Sequence, residues 1–111
     1  MLAIKSPETY HHQAGLRHEA GKIIAGLGQT VLLITSPRAW ARTGPALETS
    51  LRQHGVRWQV DILDGECSET TIARLTQRAA ELGAGVVLGV GGGRVLDTAK
   101  AVADLIEGGE S

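Results

Sequence analysis

The chain has 111 residues, the length of one modest domain, with apolar residues at 42 %. Eleven Lys and Arg stand against twelve Asp and Glu, for a net charge of −1. That balance leaves no basic excess for neutralising a phosphate backbone, and with only Tyr10, Trp40 and Trp58 as aromatics there is no stacking platform for single strands.

In chain order, Leu2 to Ile4 is a short candidate strand. Leu16, Ala20, Ile23, Ile24 and Leu27 then fall on one helical face, and Gly28 is a natural stop. Thr30-Val-Leu-Leu-Ile-Thr35 reads as a buried strand. Pro37 breaks the chain after it. Thr43-Gly-Pro45 reads as a helix start, with Leu47 and Leu51 one turn apart and Gly55 as the end. From Arg57 to Leu63 the residues alternate, with Trp58, Val60 and Ile62 opposite Arg57, Gln59 and Asp61. This predicts a strand with one wetter face, near a sheet edge.

Asp64-Gly65 reads as a turn, and Ser68 as the cap of a helix with Glu69 at its positive end. Ile72, Leu75, Ala79 and Leu82 make that helix's apolar stripe, and Gly83 closes it. Ala84 to Val90 is continuously apolar, as a strand covered on both faces requires. The run is far too short to span a bilayer. The last helix is expected from about Arg94 to Ile106, with Gly108 onward as a frayed end. Strands alternating with helices predict an α/β, doubly wound, mostly parallel sheet of Rossmann-like type. Its edge beside the last strand is expected to be incomplete, inviting association into an oligomer.

The strongest chemical signal is Gly89-Val-Gly-Gly-Gly93 between a buried strand and a helix. Three successive glycines remove every Cβ from the turn, so that backbone can approach a bulky anion closely. The N–H groups of the helix's first turn and its dipole favour negative charge there. The spacing is not the usual dinucleotide fingerprint, since Arg94 stands where a third glycine of G-x-G-x-x-G falls. A tight strand-to-helix turn without any ligand is the plainer alternative. The pattern itself supports phosphate binding and goes no further.

No other cluster carries comparable chemistry. His11, His12, His18 and His54 are not completed into a metal site by spacing, and read as surface residues. Cys67, the single cysteine, lies beside a helix start without a paired base. One unpaired cysteine, no zinc spacing and no basic-then-apolar leader predict a cytoplasmic protein without a membrane partner. Trp40 and Trp58 read as packing residues.

Gly91-Gly-Gly-Arg-Val-Leu-Asp-Thr-Ala-Lys100 resembles the GGG-x-x-x-D-x-A-K signature of the iron-containing alcohol dehydrogenase superfamily. Gly65-Glu-Cys-Ser68 and Ser6-Pro7 with Tyr10 make it similar to the glycerol dehydrogenase branch, whose hydroxycarboxylate dehydrogenase relatives share these motifs. The resemblance implies a dehydroquinate synthase-like cofactor domain, of which residues 1–111 are the N-terminal part. It implies an oxidoreductase using NAD or NADP on the CH–OH group of glycerol, a related polyol or a hydroxycarboxylate. Gly91, Gly92, Gly93 and the backbone of Arg94, Val95 and Leu96 would hold the pyrophosphate, with Asp97 at the cofactor. An Asp in a first helical turn is also favourable on the dipole alone.

At the end of the first parallel strand many members carry an Asp for the ribose hydroxyls; this chain has Ser36. A carboxylate repels a 2′-phosphate and Ser does not, while Arg38 or Arg42 can pair with one. NADP is therefore expected to be tolerated or preferred, the alternative being that Ser36 only caps the turn before Pro37.

The family's divalent metal, zinc in the glycerol dehydrogenase branch and iron in others, sits on Asp and His residues of a helical domain. Those ligands are expected downstream of residue 111. The chain is thus expected to be a fragment, inactive alone. A stand-alone nucleotide-binding or assembly module and a dehydroquinate synthase-like lyase fragment are the alternatives.

Overall fold

Runs of apolar β-branched residues divided by amphipathic stretches are resolved into eight elements in the computed structural model, which describes residues 2–5, 10–12, 30–63 and 68–108. They are β1 (Leu2–Lys5), β2 (Tyr10–His12), β3 (Thr30–Thr35), α1 (Pro37–Gln53), β4 (Arg57–Ile62), α2 (Glu69–Leu82), β5 (Val86–Val90) and α3 (Gly93–Gly108). The helix expected around Leu16 to Leu27, the Asp64-Gly65 turn and Cys67 lie outside the described residues, as does the tail from residue 109 onward.

The sheet order is β2-β1-β5-β3-β4. β3 pairs in parallel with both β4 and β5, as the alternating pattern predicts. The edge of β5 expected to be bare carries β1, antiparallel, with Ala3 opposite Gly89, and β2 pairs antiparallel beyond it. An unpaired strand edge leaves a row of N–H and C=O groups without partners, and β1 supplies them for β5.

Side-chain alternation splits the parallel strands between two cores. On one face Val31, Leu33, Val86, Leu88 and Val90 pack with Leu47 and Leu51 of α1, and Trp40, Trp58 and Val60 lie against them. On the other, Leu32, Ile34 and Val87 pack with Leu75 and Ala79 of α2 and with Val95, Ala99 and Val102 of α3. α1 thus covers one face, and α2 and α3 the other, which makes the sheet doubly wound. β4 is an edge strand, as expected, but its faces do not divide into wet and dry: Asp61 is largely covered, meeting Arg78 Nε at 2.9 Å and Arg74 Nη1 at 3.6 Å, while Ile62, assigned to the apolar face, is 46 % exposed.

The helix expected to begin at Thr43-Gly-Pro45 begins instead at Pro37. Ser36 is its N-cap, accepting from the Ala39 N–H at 3.3 Å, and Pro37 sits in the first turn, where its missing N–H costs nothing. Pro45 is accommodated inside the helix on its exposed side, and Gly44 lets the chain close on Trp40: a Cβ there would stand 2.8 Å from the indole. α2 matches expectation, capped by the Ser68 hydroxyl and ended by Gly83 at φ 69°. Leu82, assigned by spacing to its apolar stripe, is 38 % exposed at the helix end.

Candidate functional site

Neighbouring strands β3 and β5 send their following helices to opposite faces of the sheet. In open α/β sheets a crevice forms at such a reversal, outside the carboxyl ends of the strands. The parallel register sets Thr35 beside Val90 at that end. The buried Thr35 hydroxyl donates to the Val90 carbonyl at 2.8 Å, and the Leu63 N–H donates to the Thr35 carbonyl at 2.7 Å. The three strand ends are therefore tied together directly beneath the loops. Sequence reasoning missed Thr35, although a polar residue closing an otherwise apolar strand was a visible signal.

Two cavities flank the glycine turn. One, of about 270 Å³, is lined by Ser36, Arg38, Arg42 and Thr43 from the start of α1 and by Gly91 and Gly92 from the turn. The other, of about 410 Å³, is lined by Ser36 and Leu63 and by Gly92, Gly93, Arg94 and Val95. Fifty-five positions separate Ser36 from Gly91 in the chain, and the β3–β5 pairing brings them to one crevice.

The glycines have different reasons to be glycine. A Cβ on Gly89 would stand 2.8 Å from Ala99 Cβ, so its absence lets α3 lie close on β5. Gly91 has φ +150° and a Cβ there would meet Val95 Cγ2 at 3.1 Å, so backbone and packing both demand it. At Gly92 and Gly93 neither holds. Their φ values are not positive, and a Cβ on either meets nothing within 4 Å. What their missing side chains preserve is open space along the cavity walls.

The backbone donors of α3 face the same space. Gly92 stands at the N-cap and has no side chain to cap with, whereas α1 and α2 are capped by Ser36 and Ser68. Leu96 is the first residue to donate within the helix, to the Gly92 carbonyl at 3.1 Å. The N–H groups of Gly93, Arg94 and Val95 have no acceptor among the described residues. They are the orphan donors of a helix start, and they coincide with its positive end.

Of the residues predicted for this site, Ser36, Gly91, Gly92, Gly93, Arg94 and Val95 come together. Val95 also faces the core, while Arg94 is exposed. Leu96 does not offer a free donor, because its N–H is committed to Gly92 and its side chain is buried. Asp97, expected in the first turn of α3, lies one turn in, because the helix opens at Gly93; it is exposed, makes no ion pair among the described residues, and lines neither cavity. Arg38 sits in the first turn of α1, which has no acidic residue, and Arg42 lies one turn on. A cation there opposes the helix dipole by about 0.3–1 kcal/mol, a cost that a bound anion would offset.

The residues set aside by the sequence occupy structural places. His54 C-caps α1, its Nδ1 2.9 Å from the Ser50 carbonyl, and His11 and His12 lie in β2. Trp58 Nε1 donates to Glu48 at 3.3 Å, and the Arg52 guanidinium stands 5.9 Å from the Trp58 ring centroid. Among the described residues no three His, Cys, Asp or Glu side chains gather as cation ligands. No described helix is long and apolar enough to cross a membrane.

Comparison with known proteins adds to this geometry. The family described as iron-containing alcohol dehydrogenase matches residues 7–110. A glycolaldehyde reductase of Halobacterium salinarum is 35 % identical over 104 residues, covering 94 % of this chain and 28 % of that protein. A glycerol dehydrogenase of Pseudomonas putida is 34 % identical over 101 residues, covering 91 % of this chain and 28 % of its own length. A crystal structure of an iron-containing alcohol dehydrogenase superposes with a TM-score of 0.72 at 25 % identity, over 84 % of this chain and 27 % of that one. The chain therefore spans a little over a quarter of the length of these relatives.

Proposed function

Because the chain belongs to the iron-containing alcohol dehydrogenase family, we propose that the crevice between β3 and β5 holds the pyrophosphate of NAD or NADP. The N–H groups of Gly93, Arg94 and Val95 donate to its oxygens, and Gly92 and Gly93 leave the room in which it lies. One observation carries this reading: Gly92 and Gly93 are required by neither conformation nor packing, yet they line the crevice beside three free donors. A pyrophosphate fits these residues in charge, since free N–H donors at the positive end of a helix favour an anion.

Val90 and Gly91 bring the strand end up to the turn, Thr35 holds that end against β3, and Ser36 borders both cavities. Asp97, one turn into α3 and outside both cavities, is proposed on the family resemblance alone to help orient the cofactor. When bound, the nicotinamide takes up a hydride from an alcohol carbon or returns it to a carbonyl.

The protein of which this chain is part is proposed to act on the CH–OH group of glycerol, a related polyol or a hydroxycarboxylate, in keeping with relatives named glycerol dehydrogenase and glycolaldehyde reductase. By the same family membership the whole protein is proposed to use a divalent metal; among the described residues no three His, Cys, Asp or Glu side chains gather as its ligands.

Calorimetric titration of NAD and of NADP into the chain tests the binding claim. Saturable one-to-one binding of at least one is expected; absence of binding for both refutes it. The substrate claim is tested in the full-length protein, where glycerol or a hydroxycarboxylate must reduce the cofactor.

A further inference from the structure

The cavity on the α1 side of the crevice is lined at one end by the glycine turn and at the other by Arg38 and Arg42, with no Asp or Glu in its wall. Four residues apart on one helix, the two arginines project from the same side. Neither pairs with a carboxylate among the described residues. A cavity meant for ribose hydroxyls alone gains from an acceptor, such as a carboxylate, and this one presents donors. The Ser36 hydroxyl is consistent with this: its oxygen already accepts the Ala39 N–H, which leaves its proton to be donated. Arg38, in the first turn of α1, opposes the helix dipole, a cost that an anion held between it and Arg42 would offset.

We propose that Arg38 and Arg42 form a second anion subsite, which takes the 2′-phosphate of the adenosine ribose and makes the chain selective for NADP(H) over NAD(H). This rests on the pyrophosphate assignment above: the cavity adjoins the glycine turn through Gly91 and Gly92, so a dinucleotide anchored there would have its adenosine end within reach of the arginines. Guanidinium groups match a phosphate dianion through paired, charge-assisted hydrogen bonds. NAD, with two neutral ribose hydroxyls there, offers them only weaker, uncharged acceptors.

The test titrates NADP and NAD separately into the chain and into Arg38→Gln, Arg42→Gln and the double variant. The unaltered chain is expected to bind NADP at least tenfold more tightly than NAD. Each single variant is expected to lower NADP affinity about tenfold, the scale of one hydrogen bond to a charged group, and to leave NAD affinity within about twofold. Raising the salt concentration should narrow the difference between cofactors in the unaltered chain only. Both arginines are exposed, and unchanged NAD binding certifies that the variants are folded.

NAD binding as tight as NADP in the unaltered chain overturns the proposal and leaves the pyrophosphate site standing. Equal losses for both cofactors in the double variant also overturn it, by assigning the arginines to the shared pyrophosphate. Binding of neither cofactor removes the pyrophosphate site itself, and this subsite with it.

Discussion

Gly93→Ala separates the two reasons a turn can be rich in glycine. The added methyl meets no atom within 4 Å and φ is not positive, so folding meets neither clash nor strain. Gly93 is the first residue of α3, and alanine there removes backbone freedom from the unfolded chain. Stability should therefore hold or rise by about 0.5 kcal/mol, a gain of roughly 2–4 °C in Tm. Cofactor binding should move the other way. The methyl stands beside the donors of Gly93, Arg94 and Val95 and keeps a phosphate oxygen from closing to the ~2.8 Å of a charge-assisted bond. Loss of one such bond is worth about 1.5–3 kcal/mol, or roughly tenfold to a hundredfold in Kd.

Gly91→Ala is the contrast. Its φ of +150° and the 3.1 Å approach of Val95 Cγ2 make it destabilising, by about 1–3 kcal/mol. Thermal melts and calorimetric titration of the two variants in parallel give both quantities. Should Gly93→Ala bind cofactor as tightly as the unaltered chain, or lose as much stability as Gly91→Ala, the distinction between structural and ligand-serving glycines is wrong.

Three further outcomes follow from the packing around the crevice. Gly89→Ala drives a Cβ to within 2.8 Å of Ala99 Cβ and should cost about 1–3 kcal/mol in melts, while adding Ala99→Gly should give a double variant less unstable than the sum of the singles. Thr35→Val removes the 2.8 Å bond to the Val90 carbonyl; it should cost about 1–2 kcal/mol by denaturant titration and weaken cofactor binding by loosening the strand ends under the turn. Ser68→Ala and Ser36→Ala each remove an N-cap worth about 1 kcal/mol, but only Ser36→Ala should also alter cofactor affinity, because Ser36 lines both cavities and Ser68 lines neither.

Where local signals were long and unopposed, the sequence and the structure agree. α2 combines a serine cap, an apolar stripe and a left-handed glycine stop, and the continuous apolar run before Gly91 could only be a doubly covered strand. The start of α1 was misplaced because two proline-containing segments compete for it. Ser36-Pro37 prevails: the serine caps and the proline is harmless in a first turn, while the tertiary fit of Gly44 on Trp40 carries the helix past Pro45. β2 is three residues long, too short for any periodicity, and its pairing with β1 is a fact of sheet assembly.

The glycine turn was legible from spacing and composition. The crevice was not, because Ser36 and Gly91 meet only through the register of β3 on β5. Nor does spacing tell a packing glycine from a ligand-serving one; that needs the position of Ala99, Val95 and the empty space at Gly92 and Gly93. Spacing does not show, either, that Leu96, expected among the backbone donors with Gly93, Arg94 and Val95, spends its N–H on the Gly92 carbonyl in closing the first turn of α3.

The pyrophosphate assignment is tested most directly by following backbone amide resonances during titration with NAD and NADP. The largest shifts should fall on the N–H groups of Gly93, Arg94 and Val95, with saturation matching the calorimetric Kd. Saturable binding that leaves those three amides unmoved, with the changes gathered elsewhere on the chain, would contradict the account.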